Sequence, residues 1–299
     1  MNIRRLIITF VGLTMACSLF AQTDAYIKLF DHHGQHPRIL SITYPGDANL
    51  LDMYNSIYGH GAVIENPWVA YRVYMDNRQS LDLYVKQNPQ IELDVTGFYT
   101  TPEQLTQGYG CDVLWAGKSI AAGSFRGWQN NTPVTIDSVT SRTQTVLSPS
   151  SVQIVDNDWC FNGHPIKMTQ TYSVTPDSRD LFVTIKLEGY LPDDIFATGI
   201  QKLETDNIGF ISEKGYAASW GSNIPDKNQP EWTEQVGLGI VVNPENIIKS
   251  VEDELNYIFL LKPDKQGVIS YRVISCGNRE IDGFKSADKW LEYINKLNK

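Results

Sequence analysis

Chemistry-bearing side chains crowd into one stretch of this chain, residues 58–128. It holds His60, Glu65, Arg72, Asp76, Arg78, Asp82, Tyr109, Asp112, Lys118, Arg126 and Trp128. In Tyr58-Gly59-His60-Gly61-Ala62 two glycines flank a histidine. Glycine permits positive φ or close backbone approach, so His60 is expected to project from a tight loop. Imidazole is the side chain most readily tuned as acid or base near neutral pH. Gln107-Gly108-Tyr109-Gly110-Cys111-Asp112 repeats the arrangement with a phenol and a carboxylate. It is not a phosphate loop, because no Lys-Ser/Thr pair follows.

Alternation sorts part of this stretch. If 68–76 is a strand, Val69, Tyr71, Val73 and Met75 face a core, and Trp68, Ala70, Arg72, Tyr74 and Asp76 face the other way. A strand over 119–128 would put Arg126 and Trp128 on one face. Such a surface fits a sugar. Trp68, Tyr74 and Trp128 would cover the apolar C–H faces of a pyranose, while Arg72, Asp76, Arg78 and Arg126 hydrogen-bond its hydroxyls. Arginine can also clamp a carboxylate with two parallel bonds. The competing reading is a solvated sheet face with an Arg–Asp pair. Lys118 and Lys202 are isolated lysines, by default solvated.

Other groupings carry less. Asp31-His32-His33-Gly34-Gln35-His36-Pro37 has three histidines, but its Gly and Pro describe a hairpin loop without preset metal geometry. His164 reads as a turn residue. No Gly-x-Ser-x-Gly elbow and no His-Glu-x-x-His occur, so a serine esterase or zincin has no support. No metal and no cofactor is expected.

The elements that position these residues read as strands. Apolar and β-branched runs punctuated by Gly, Pro, Asn and Asp recur at 39–44, 68–76, 119–128, 151–155, 166–174, 181–187, 236–242, 257–261 and 268–275. Thr101-Pro102-Glu103-Gln104 carries a capping-box pattern for one short helical turn. Trp290, Ile294 and Leu297 lie at i, i+4 and i+7 behind Ser286, a terminal helix with one apolar stripe. No repeat or linker divides the chain. Residues 22–299 are expected to form a single β domain of sandwich or barrel type.

The N-terminus has the form of a secretory signal. Arg4 and Arg5 precede a short apolar run that ends at Ala21-Gln22. The run is shorter than the ~20 residues a spanning helix needs. Residues 1–21 are therefore expected to be cleaved and the protein exported, periplasmic or extracellular. Cys17 raises lipoprotein anchoring as a minor alternative. Cleavage leaves Cys111, Cys160 and Cys276, which allow at most one bridge. The formal charge of −9 argues against nucleic acid as a partner.

The ordered block Gly59-His60-Gly61-Ala62, Glu65, Ala70-Tyr71-Arg72, Asp76-Asn77-Arg78-Gln79-Ser80-Leu81-Asp82-Leu83-Tyr84 resembles domain-of-unknown-function family 4861. So do Gly108-Tyr109-Gly110, Asp112-Val113-Leu114-Trp115, Gly117-Lys118-Ser119, Arg126-Gly127-Trp128 and Ala197-Thr198-Gly199-Ile200-Gln201-Lys202. One departure is the single His60, where many relatives are expected to carry a His pair. The resemblance implies an exported protein of polysaccharide-degrading bacteria, acting on uronic-acid-containing plant or algal glycan fragments. It implies no catalytic roles. By analogy the fold is a large two-sheet antiparallel β-sandwich of the mutarotase/polysaccharide-lyase supersandwich kind, all-β with a C-terminal helix. In a lyase version Arg72 or Arg126 neutralises the uronate, His60 or Tyr109 takes the C5 proton, and the other or Lys118 protonates the leaving oxygen. In a hydrolase version two of Glu65, Asp76 and Asp112 form the acid–base pair. The alternatives are a non-catalytic glycan-binding module and a structural component of a glycan-handling complex.

Overall fold

The computed structural model describes residues 22–46, 53, 55–223, 226 and 228–297. The expected leader 1–21, with Cys17, lies outside the described residues. Among those described, nearly all regular structure is β, arranged in three antiparallel sheets.

The largest sheet has nine strands. They are β3 (Ser41–Pro45), β10 (Ser141–Ser148), β11 (Ser151–Phe161), β12 (His164–Val174), β13 (Asp180–Glu188), β15 (Thr205–Ser212), β16 (Tyr216–Ser222), β17 (Gln235–Val242) and β20 (Val268–Gly277). Their order is β15-β16-β17-β20-β13-β12-β11-β10-β3. Burial alternates along β11, β12 and β13, as a period of two demands. Ile154, Met168, Val183 and Ile185 all turn to the core. Burying each such aliphatic side chain contributes about 1.5–3 kcal/mol.

The opposing layer is divided in two. Six strands, β1 (Asp24–Lys28), β2 (Arg38–Ile39), β4 (Gly61–Glu65), β5 (Val69–Tyr74), β6 (Leu81–Val85) and β7 (Cys111–Asp112), run in the order β2-β1-β4-β5-β6-β7. Five more, β8 (Arg126–Gln129), β9 (Thr132–Val134), β14 (Phe196–Gln201), β18 (Ile247–Glu252) and β19 (Asn256–Leu261), run β18-β19-β14-β8-β9. Both pack on the nine-stranded sheet. The Tyr71 hydroxyl lies 2.8 Å from that of Ser275, and Phe161 stacks on Phe196 at 5.4 Å. One contiguous apolar core spans all three sheets.

The turn joining β5 to β6 is keyed into the large sheet. Gln79, fully buried, donates to Asp156 at 2.7 Å and accepts from Gln170. Arg142 donates to Asp156 at 2.5 Å and to the Ile136 carbonyl at 2.8 Å. An unpartnered buried polar group costs about 1–3 kcal/mol, so this network favours one seating of the turn. It thereby supports the register in which Arg72 faces Asp82.

The expected strand over 119–128 forms only from Arg126. Before it, Gly117, Ala121 and Gly123 have φ of 53°, 52° and 88°, which a strand does not tolerate. Helix α1 (Leu93–Thr96) has no counterpart in the sequence reading; the Glu65 carboxylate accepts from Glu92 N and Leu93 N at its start. Helix α2 (Pro102–Thr106) carries the complete capping box. Helix α3 (Ala287–Lys296) seats Trp290 and Ile294 against Gly237 and Gly239. Ser286 occupies its N-cap, but its hydroxyl makes no capping bond. Cys111 and Cys276 are buried, Cys160 is exposed, and all three are unbridged. Among the described residues no helix is long and apolar enough to cross a membrane.

Candidate functional site

β5, β6 and β7 have one face on the core. On the other face, alternation brings Arg72, Tyr74, Asp82 and Asp112 together. Arg72 and Asp82 are direct cross-strand partners. Asp112 comes in diagonally, since its own partner is Tyr84. Nη2 of Arg72 donates to Asp82 Oδ2, to Asp112 Oδ2 at 3.3 Å and to Tyr74 Oη at 2.9 Å. Nη1 donates to Tyr99 Oη at 3.1 Å. Tyr74 in turn donates to Asp82 at 3.1 Å. Nε of Arg72 is buried without a partner.

Burial and charge set the protonation states. The side chains of Arg72, Asp82 and Asp112 are 5%, 5% and 9% exposed. Burial, and then the charge of Asp82, hold the Asp112 carboxyl well above the ordinary carboxylate range; Arg72 only partly opposes them. The Tyr74 phenol is also pushed up, by burial and then by Asp82. Burial works against the Arg72 charge, but Asp82, Tyr74 and Asp112 more than offset it. The result is a fixed cation beside a carboxyl group that favours its protonated form.

A run of rings leads to this cluster. Phe30 lies 5.6 Å from His36, His36 stacks on Tyr58 at 3.9 Å, and Tyr58 meets Tyr99 edge-on at 6.0 Å. Tyr99 closes the run on Arg72. Phe30 and Tyr99 are each 44% exposed, so both the start and the inner end are open to solvent. Gly97, with φ 59°, permits this approach, because a Cβ there would stand 3.0 Å from the Tyr58 hydroxyl.

Several expected residues adjoin the cluster. His60 has φ 68° in its tight turn, and its ring lies parallel to that of Tyr74 at 6.2 Å. The Arg78 guanidinium lies 5.9 Å from the same ring and pairs with Asp76 at 2.7 Å. Asp76 also accepts from Arg78 N and Gln79 N, so it holds the turn.

Others are placed elsewhere. Glu65 is fully buried and ion-paired with Lys86 at 2.6 Å. Tyr109 is half-buried, and its carbonyl accepts from Gln87 at 2.8 Å. Arg126 shares a face with Trp128 as alternation requires, but that face is covered. Its guanidinium donates to the Arg78 and Phe125 carbonyls and to Ser80, and burial lowers its pKa to about 10. Trp128 packs on Ala197, Ile258 and Leu260. Trp68 lies under the Arg179 guanidinium at 4.7 Å. Lys202 donates to the Asp253 carbonyl at 2.7 Å and pairs with Glu252 at 3.1 Å. Lys118 is exposed and makes no ion pair among the described residues. Among those residues no three His, Cys, Asp or Glu side chains converge as a metal site; His36 instead accepts from Asp31 N through Nδ1.

Asp82, Tyr99 and Tyr58 complete the site beyond the residues singled out for roles. Asp82 had a local signal, the lone charge in Leu81-Asp82-Leu83-Tyr84-Val85. Tyr99 had none, because its ring returns to Arg72 from a loop.

Three solved structures are similar in part. An assigned aldose 1-epimerase from Klebsiella pneumoniae is 9% identical, with TM-score 0.40, covering 93% of this chain and 96% of that one. A family GH92 inverting mannosidase from Bacteroides thetaiotaomicron is 8% identical, with TM-score 0.33, covering 59% of this chain and 29% of that one. The 4-alpha-glucanotransferase of Thermococcus litoralis is 11% identical, with TM-score 0.34, covering 72% and 37%. The chain thus spans under a third of the mannosidase and just over a third of the glucanotransferase. No curated protein matches it in sequence. One family model does match, over residues 19–299 and therefore nearly end to end: the chain belongs to the family described as Domain of unknown function (DUF4861).

Proposed function

We propose that this protein is an exported carbohydrate-active enzyme that hydrolyses fragments of uronic-acid-containing plant or algal polysaccharide. One observation carries the reading: the open aromatic run Phe30–His36–Tyr58–Tyr99 ends on a buried Arg72–Asp82–Asp112 cluster. The rings supply stacking surface for successive sugars. At the cluster, Asp112 gives its proton to the leaving glycosidic oxygen, a role suited to a carboxyl with a raised pKa. Asp82, held by Arg72 and Tyr74, attacks the anomeric carbon. Water then releases the sugar, with Asp112 taking back a proton. Two carboxylates on one guanidinium nitrogen stand close together, which favours retention of configuration over inversion.

The elimination route has less support. It needs a guanidinium facing the uronate carboxylate, and the terminal nitrogens of Arg72 and Arg126 are engaged inside the protein. A second reading, a glycan-binding module without turnover, is favoured by the low exposure of the three charged side chains.

The test is a product screen on pectic, algal and arabinogalactan-type oligosaccharides with wild type and Asp112→Asn. The expected result is hydrolysis that drops about 10²–10⁴-fold in the variant, the usual worth of a general acid, with binding within several-fold of wild type. Unsaturated product absorbing as a conjugated enoate would overturn the hydrolase reading, as would full turnover by Asp112→Asn. Binding without any turnover by wild type would establish the module instead.

A further inference from the structure

Trp115 is the one indole that faces solvent, 63% exposed, while the other six tryptophans are buried or half-buried. Stray exposed aromatics are common, but this one is held in place. Its carbonyl accepts from Gln201 at 3.3 Å and from Asn223 at 3.2 Å, and both of those side chains belong to buried residues. Ser119 closes the loop, its Oγ lying 2.6 Å from the Ala116 carbonyl oxygen and 2.7 Å from Gln201 Oε1. Gly117 has φ 53°, and a Cβ there would stand 3.0 Å from the indole Nε1. The turn is therefore held from below, and the indole lies over Gly117.

That position adjoins the cluster. Trp115 follows Asp112 by three residues, a reach of at most about 10 Å. Asn223, which bonds the Trp115 carbonyl, precedes by three residues Asp226, whose charge adds to the upward push on the Asp112 carboxyl. Both observations keep the Trp115 turn close to Asp112 in space. Lys118, exposed on the same turn, is an ammonium with no ion pair among the described residues.

We propose that Trp115 and Lys118 form a subsite for a uronic acid unit, the indole carrying its C–H face and the ammonium meeting its carboxylate. The proposal rests on the reading of Asp112 as the reacting acid and adds where the substrate's negative charge goes. Within the cluster, Arg72 already meets two carboxylates, so an acidic sugar gains little there. A neutral unit is therefore accepted at the cluster, and the acidic unit beside it. Lys118 in this account binds substrate and transfers no proton.

Calorimetry with Trp115→Ala, Trp115→Phe and Lys118→Gln tests this. The probes are oligogalacturonate, oligoalginate and glucuronate-bearing arabinogalactan oligosaccharides, each beside its carboxyl-reduced form. Trp115→Ala is expected to weaken both forms about tenfold or more, and Trp115→Phe to recover most of that loss. Lys118→Gln is expected to weaken only the acidic form, by roughly five- to tenfold at low salt and less as salt screens the charge. Both side chains are exposed, so the fold should survive, and near-ultraviolet dichroism verifies it. Affinity within twofold of wild type for Trp115→Ala, equal losses on acidic and reduced forms for Lys118→Gln, or no binding of any probe by wild type would overturn the proposal. Asp112→Asn separates the two readings. If Trp115→Ala has no effect while Asp112→Asn abolishes turnover, the subsite alone fails; the reverse pattern fails the catalytic reading alone.

Discussion

Asp82 and Asp112, far apart in the chain, both accept from the same nitrogen of Arg72. Asp82 does so straight across the β5–β6 pair, Asp112 diagonally from the end of β7. Burial first, and then the charge of Asp82, raise the Asp112 pKa, and the one cation shared by the two carboxylates does not offset them. The chemistry proposed for the site depends on this asymmetry.

Removing Arg72 should be costly. Arg72→Ala leaves Asp82 and Asp112 side by side without their cation, and breaking a buried pair costs about 3–5 kcal/mol. Arg72→Lys keeps a charge but loses the fork that spans Tyr99, Tyr74 and both carboxylates. Chemical denaturation should rank stability as wild type, then Lys, then Ala. Equal midpoints for all three would mean that the cluster does not contribute to the fold.

The raised Asp112 pKa has a definite sign in stability. In the unfolded chain an Asp side chain releases its proton near pH 4, while the native Asp112 still holds it. The native state then binds more protons, so stability falls with rising pH from about pH 4 up to the native pKa of Asp112. Asp112→Asn should gain on wild type across that window and run parallel to it below. Thermal midpoints over a pH series measure the difference, and a constant gap throughout would refute the raised pKa. In activity, the protonated acid should give kcat/KM a descending limb on the alkaline side.

The Glu65–Lys86 pair is predicted to be a structural element. Both side chains are fully buried, and Glu65 also anchors the start of α1. Lys86→Ala should destabilise by about 3–5 kcal/mol and expose the segment carrying Phe98 and Tyr99 to limited proteolysis. Native-like protease resistance in Lys86→Ala would remove Glu65 from this positioning role.

Gly237 should tolerate no side chain. A Cβ there would lie 2.6 Å from the Trp290 ring and 3.0 Å from Cys276 Sγ. Overpacking of this kind costs about 1–3 kcal/mol. Gly237→Ala should shift α3 off the sheet, read as a red shift in tryptophan emission; unchanged emission and stability would show that Trp290 can move aside.

Much of the scaffold was legible in the sequence. The runs at 166–174, 181–187, 236–242 and 257–261 are strands with nearly the expected limits, because apolar, β-branched runs and the turn residues that bound them are local properties. The faces of β5 follow for the same reason, including Arg72 opposite the core. The capping box at Thr101 and the Trp290–Ile294 stripe were likewise local. The 119–128 run has the composition of a strand yet is loop up to Phe125, because left-handed backbone at Ala121 leaves no mark on composition.

The sequence by itself determined that the protein is all-β, that its family is DUF4861, and that the region around Arg72 and Asp112 is unusual. Only the tertiary structure decided which of those residues meet. Strand order puts Asp112 beside Asp82, the turn at Gln79 sets their register with Arg72, and loops return Tyr58 and Tyr99 to the same guanidinium. It also moved Glu65, Arg126 and Trp128 out of the cluster and into packing. Alternation tells which face a residue takes, but what covers that face is set by segments distant in the chain. Burial then decides whether a charged side chain holds the fold or is available to a substrate.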